Sequence, residues 1–379
     1  MLSLRLQARA RIGFAVMAAL LAAGCAHSGG LMPVQASGPG TSDLSRSRSA
    51  TAPSILKMLK RQVVIGPTID SEHDQLNPYG LTVAPSTAGD FTAGDLVVCN
   101  FNAKSNRQGT GFTIVALHPH PGSRPRLVSD SRKLLLGCNA LALSPGDDIW
   151  AAAFKANDNP VISASGALEA NIKGPPFHHP FGQVFAQPAS GSPAFYETNA
   201  ADGTVVRINL GSSFTFDVIA RGFPINHGRP GSILAPSGLA YNPNGDILYV
   251  VDGTNNSVTA LSNVSTIPNN GVMVSKNGRH FSGKSGSNAR LVYAGRPLDA
   301  PISSALLFNG NLVVGNTGNS NGQNIMVELS PSGQVLDVRN IDRGASGAIF
   351  GMVATGTSAA DTKLYFNDDN DNDLQVLEP

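Results

Sequence analysis

From Gln62 to Pro379 the chain is a succession of short runs in which apolar and polar residues alternate, each bounded by Gly, Pro, Asn or Asp. A period of two predicts strands with one buried face. No window of a dozen residues sustains apolar spacing at three and four, so helices are not expected. The runs group into six units of four short strands, A to D, and a recurrence of this kind decides the fold. The first has GLTVAP, DLVVCN, FTIVAL and RLVSD, and the second ALALSP, DIWAAAF, PVISASG and LEANIKG. The third has GQVFAQP, AFYETN, TVVRINL and FDVIARG. The fourth has GLAYNP, ILYVVD, SVTAL and, after an insertion from about Ser262 to Asn288, ARLVYAG. The fifth has ALLFNG, NLVVGN, NIMVEL and QVLDVRNI, and the sixth GMVATG, KLYFND and DLQVLEP.

The sixth unit lacks a fourth strand, while QVVIG, Gln62 to Gly66, precedes the first unit with no partner of its own. A ring explains both. The early strand completes the last blade and removes an open sheet edge. The expected fold is therefore all-β, a six-bladed β-propeller of four-stranded antiparallel blades closed by an N-terminal strand. Two stacked β-sandwiches would show neither the recurrence nor the unpaired strand.

The first residues follow another pattern. Arg5, Arg9 and Arg11 precede an apolar stretch from Ile12 to Ala23, too short to span a bilayer, and then Gly24 and Cys25. Residues 1–24 read as an export signal. The ending LLAAGC resembles the bacterial lipobox, which implies that Cys25 becomes a lipid-modified N-terminus and that the membrane is met only through this anchor; an ordinary signal cleaved nearby is the alternative. Ala26 stands where an aspartate would retain the protein at the inner membrane, so the outer membrane is expected in a Gram-negative host. Residues 25–55 are rich in Ser, Gly and Pro and read as a tether, leaving 56–379 as the folded body. Without the three leader arginines the 27 basic residues fall to 24, against 26 acidic, so nucleic acid is not an expected partner.

PSGLAYNPNGDILYVVDGTNNSVTAL, Pro236 to Leu261, resembles an NHL repeat, with its proline and glycine, its turn, and its strand ending in an acid or amide six positions before the next apolar residue. Asn199 to Val205 and Asp368 to Leu374 keep that spacing, Asn100 and Asn316 keep the amide with longer loops, and Ala153 departs. The resemblance implies the propeller but no particular activity, since such propellers serve as scaffolds, binders and enzymes.

Function is expected where the innermost strands begin, around the mouth of the central channel. The residues just before each A strand are Tyr79, Asn139, Phe181, Ser237, Ser304 and Phe350, an aromatic and neutral ring. The architecture is also similar to six-bladed gluconolactonases, which implies a divalent metal held by Glu, Asn and Asp at such positions; only Asn139 matches, with Glu72 near the first blade. A quinone-dependent sugar dehydrogenase would want a histidine with basic neighbours, for which His179 and Arg229 are nearest. His73, His178, His179 and His227 all fall in D-to-A loops on that face, but on blades too far apart for a zinc or copper site without folding over the mouth. NDDNDND, Asn367 to Asp373, lacks the glycine and glutamate of an EF-hand loop, so Asp368, Asp371 and Asp373 are either turn residues or ligands of a calcium ion. No G-x-S-x-G, H-E-x-x-H or phosphate loop is present. Cys99 and Cys138 should lie near one face, as a disulfide between neighbouring blades or as two buried thiols. The expectation is a monomeric binding module for a protein or a glycan, without a cofactor, and a metal- or quinone-dependent propeller enzyme is the alternative. The basic, glycine-rich insertion reads as a mobile excursion from blade four.

Overall fold

The computed structural model describes residues 53–228, 233–319 and 322–379; the export signal, Cys25, most of the tether and Arg229 lie outside them. Six antiparallel sheets are arranged as the blades of a propeller. Their innermost strands are Leu76–Val83, Cys138–Leu143, Pro180–Ala186, Pro236–Asn242, Pro301–Leu306 and Ile349–Thr355. Arg61–Pro67 is the outer strand of the sixth blade, antiparallel to the C-terminal Asp373–Glu378, with Gln62 opposite Leu377 and Pro67 opposite Asp373. The ring thus closes by pairing the two ends of the body, as its missing and surplus strands require.

The middle strands are buried on both faces, as in VVCN of blade one and YVVD of blade four, because each blade is stacked between two others. Apolar clusters fill these spaces, for example Val97, Cys99, Ile114 and Cys138 between blades one and two. Around the axis the packing is tighter still. A Cβ added at Gly182 would lie 1.8 Å from the Ser237 carbonyl oxygen, and one at Gly238 would lie 2.6 Å from the Ser303 Cα. Glycine recurs there because neighbouring inner strands touch through their backbones.

Two regions depart from the sequence reading. The fold starts before residue 56: Ser54 to Leu59 form a turn that buries Ile55, Leu56 and Leu59 among residues of blades five and six. Its amides are held by one side chain, Glu328, which accepts from the Ile55 N–H at 3.1 Å and the Leu56 N–H at 2.8 Å. The insertion, expected to be mobile, is built into the sheet of blade three. Its strand Val272–Val274 pairs in parallel with Thr215–Arg221, Phe281–Ser282 pairs with it in turn, and blade three becomes six-stranded. Val264, Ile267, Val272 and Val274 are buried. Arg207 ties the excursion down, donating to the carbonyls of Val264, Ser265 and Ile267 through Nη1 and to Asp217 at 2.7 Å through Nη2.

Candidate functional site: the channel mouth

Each inner strand shifts register near its start, after Pro78 paired with Asn100 in blade one and, in the other five blades, after a first residue paired with the last residue of strand B, as Pro236 with Asp252. The shift turns the following residues toward the axis. Those residues are Tyr79, Asn139, Phe181, Ser237, Ile302 and Phe350. Five match the sequence reading, and the fifth blade does not. Pro301 is its paired residue, so Ile302 takes the place assigned to Ser304, which lies two residues deeper, level with Leu81, Leu141, Gln183, Leu239 and Met352. In that blade Ser303 stands where others carry glycine or alanine, and without a glycine to mark the start the frame slipped. All seven residues nevertheless line a single cavity on the axis.

The mouth is floored by packed rings. Tyr79 is the hub, with its centroid 4.0 Å from that of Phe350, 4.8 Å from Phe101 and 6.0 Å from Phe181. Phe154 extends the cluster to Phe181 and, at 4.5 Å, to the His179 ring. Phe101 and Phe154 were not expected in the site, since each lies just beyond a strand-end residue rather than in the mouth ring. Burial, and secondarily Asp369, push the Tyr79 hydroxyl pKa well above its ordinary value, so it remains a neutral phenol. Above the rings lies a small depression of about 60 Å³, continuous with solvent, whose rim adds Asn77, Gln108, Thr317 and Ser346. Tyr79, Ile302 and Phe350 line both this depression and the cavity beneath it.

Below the rings the wall is polar on some blades and apolar on others. Both amide atoms of Asn139, the Gln183 Oε1 and the hydroxyls of Ser303 and Ser304 are buried without a protein partner. Leu81, Leu239 and Met352 face them from blades one, four and six. Behind Gln183 stands Glu197, fully buried, whose pKa is pushed well above the usual carboxyl range by that burial.

The remaining expected residues do not converge on the axis. His73 is held between Asp70 at 3.1 Å and Asp130 at 3.0 Å, its ring edge-on to Phe112. His178 lies 4.0 Å from Asp202, and burial followed by the neighbouring His178 lowers the pKa of His179. His227 sits in a left-handed turn, and Glu72 is exposed. Among the described residues no three His, Cys, Asp or Glu side chains are grouped to hold a metal. The donor set implied by the gluconolactonase resemblance is also not met, because no carboxylate lines the cavity. Cys99 and Cys138 are both buried free thiols, not a bridge; burial and the hydrogen-bonded Cys99 push the Cys138 pKa well above its usual value.

The acids and amides at the strand ends hold backbone. Asn199 Oδ1 accepts from the His178 N–H at 3.0 Å, Asn316 Oδ1 from the Asp299 N–H at 2.9 Å, and Asp252 Oδ1 from the Thr254 N–H at 2.9 Å. Gln375 donates to both Asp368, at 3.2 Å, and Asp373, at 2.9 Å. Burial raises these two carboxyls to pKa values of about 7 and about 6, with repulsion from Asp342 and Asp373 adding to the shift of Asp368 and repulsion from Asp371 adding to that of Asp373.

No family model matches this chain, and no curated protein does. Solved structures do match. A catalytically inactive virginiamycin B lyase from Staphylococcus aureus, crystallised with quinupristin, is 13% identical with a TM-score of 0.51, over 84% of this chain and 100% of that one. A gluconolactonase from Xanthomonas campestris is 13% identical with a TM-score of 0.55, over 84% and 97%. At such identity the likeness concerns architecture. In sheet order, ring closure and likeness alike, the chain is a six-bladed β-propeller.

Proposed function

We propose that this propeller, built from NHL-like blades, is a binding module that takes a neutral polar ligand, a glycan, at its channel mouth, and that Cys25 carries it as a lipoprotein on the outer membrane of a bacterium. One observation carries the reading: the mouth has a floor of packed aromatic rings and a rim of amides and hydroxyls, with no titratable side chain but Tyr79 lining it among the described residues. A sugar presents an apolar ring face and a border of hydroxyls, which that floor and rim complement. Lactone hydrolysis with a metal would need carboxylate oxygens where the ring has Phe181, Ile302 and Phe350.

The test uses the mature chain in detergent. Oligosaccharide binding should be measurable by calorimetry, weakened at least tenfold by Tyr79→Ala, and accompanied by no stoichiometric metal. Lactonase turnover, or a bound metal or quinone, would overturn the reading. For the anchor, labelled fatty acid should be incorporated by the chain and not by Cys25→Ala; labelling of both would sink that part.

A further inference from the structure

The inserted hairpin changes the electrostatics of the face that carries the mouth. From Gly253 to Leu298 the chain has no Asp or Glu, yet holds Lys276, Arg279, Lys284, Arg290 and Arg296, in a protein whose formal net charge is only +1. Parallel pairing fixes where this charge goes. Thr215–Arg221 runs toward the loop that enters blade four at the mouth face, so Val272–Val274 runs the same way and its turn, residues 275–280, emerges there. A Cβ at Gly278 would come within 2.9 Å of the Asn255 side chain, which places the turn beside the B-to-C loop of blade four.

The turn is closed by its own hydrogen bonds. The Ser275 N–H donates to the His280 carbonyl at 2.9 Å, the His280 N–H to Ser275 Oγ at 3.0 Å, and the Arg279 N–H to Asn277 Oδ1 at 3.1 Å. Lys276, Arg279 and His280 project from it, exposed, and no carboxylate among the described residues pairs with them. The one acid on the adjoining strand, Asp217, is taken by Arg207. Across the ring, of the four acids in the blade-six loop Asp368 to Asp373 only Asp371 is exposed. The mouth is therefore flanked at blades three and four by a cationic arm, and an anionic ligand would be drawn toward that side.

We infer that this turn is an anion-recognising arm of the mouth site and that its ligand is an acidic oligosaccharide, one sugar lying on the rings and a carboxylate or phosphate further along reaching Lys276 and Arg279. The inference rests on the proposed glycan reading, keeps a sugar on the rings of the mouth, and departs from it by adding an anionic group further along the ligand. With strands about 4.8 Å apart, the arm stands roughly 20 Å outward from the innermost strand, so a monosaccharide cannot touch both places. A membrane surface is the less suitable partner, since lipid recognition takes clusters of four to eight basic residues and this turn presents two with one histidine.

Calorimetry on the detergent-solubilised mature chain, with length-matched hexamers, tests this: oligogalacturonate against oligogalactose, and oligomannuronate against oligomannose. In 50 mM salt at least one acidic hexamer should bind about five- to tenfold more tightly than its neutral match, and the Lys276→Ser, Arg279→Ser double variant or 500 mM salt should erase that advantage without weakening the neutral one. Equal binding of both, or an unaffected double variant, overturns the inference and leaves the mouth reading standing. If no hexamer binds, both fall. Variant-sensitive binding to phosphatidylglycerol vesicles with no preference among hexamers assigns the arm to a membrane and overturns the glycan assignment.

Discussion

Two glutamates, Glu197 in blade three and Glu328 in blade five, are fully buried, and their surroundings are opposite. Glu328 accepts four hydrogen bonds, from the Ser54 hydroxyl at 2.5 Å, the Ile55 and Leu56 N–H groups, and the Asn311 side-chain amide at 2.7 Å. Glu197 accepts one, from Gln183 Nε2 at 3.3 Å, and its Oε1 has no partner. Burial accordingly dominates at Glu197 and drives its pKa well above the ordinary range, with the Asn159 and Gln183 amides offsetting little of it. Burial alone therefore does not say what a carboxyl group does. One is the clasp that fastens the first turn of the body to the ring, and the other is a neutral acid behind the channel wall.

Removing the clasp should have the largest effect. Glu328→Ala leaves the Ile55 and Leu56 N–H groups and the Asn311 amide buried and unpaired, and each unsatisfied group costs about 1–3 kcal/mol. The turn should come away, with a loss of about 3–5 kcal/mol in urea unfolding and fast hydrogen exchange confined at first to residues 54–59. An unchanged midpoint would mean that Ile55, Leu56 and Leu59 hold the turn by packing alone.

Glu197 should instead show itself through pH. Its folded pKa is raised above the unfolded value, so the stability it contributes is fully present below about pH 4.5 and is lost as pH rises toward the folded pKa. Asp252 and Asp368, both raised to about 7 by burial, act in the same direction. Wild-type stability should therefore decline from pH 5 to pH 8, and Glu197→Gln should remove up to about 1.4 kcal/mol per pH unit of that slope. Parallel profiles for wild type and variant would show that the site relaxes to admit water. Asn311→Ala, which takes away one of the four donors to Glu328, should cost about 1–2 kcal/mol and leave the pH profile as it was.

The contrast also marks where the sequence stops being informative. Strand alternation, the missing D strand and the early QVVIG are local patterns, and ring closure follows from them. Donors to a buried acid are not local: Leu56 and Glu328 are 272 residues apart, and neither position carries a mark of the other. The insertion was misread for the same reason. Its Gly, Asn and Ser content suggests a loose loop, while its docking depends on Val272 and Val274 meeting a parallel partner some fifty residues upstream. At the mouth, five of six ring residues were legible because Gly or Ala follows them, and Ile302 was not because Ser303 stands in the small-residue place. The aromatic floor was half visible: Tyr79, Phe181 and Phe350 belong to the ring, whereas Phe101 and Phe154 reach it from strand ends.

The smallest effect is expected where the two sites can be made alike. Gln183→Leu deletes an Nε2 that donates to Asn159 Oδ1 at 3.1 Å and to Glu197 at 3.3 Å, and also an oxygen that has no partner of its own, so lost hydrogen bonds are set against a relieved desolvation cost. At pH 5, where Glu197 is protonated, the change should be within about 1 kcal/mol of zero. As pH rises toward the folded pKa of Glu197 it should turn destabilising, because an ionising Glu197 would then have lost its donor Gln183, and the pH slope should steepen. The same variant joins Leu81, Leu141 and Leu239 into a run of four consecutive blades with leucine at the cavity wall, and leaves the aromatic floor untouched. A ligand that merely rests on the rings should bind it as it binds the wild type, whereas one that inserts a hydroxyl beneath them should lose affinity. A loss of more than about 2 kcal/mol at pH 5 would show that Gln183 supports the wall through contacts other than its bonds to Glu197 and Asn159.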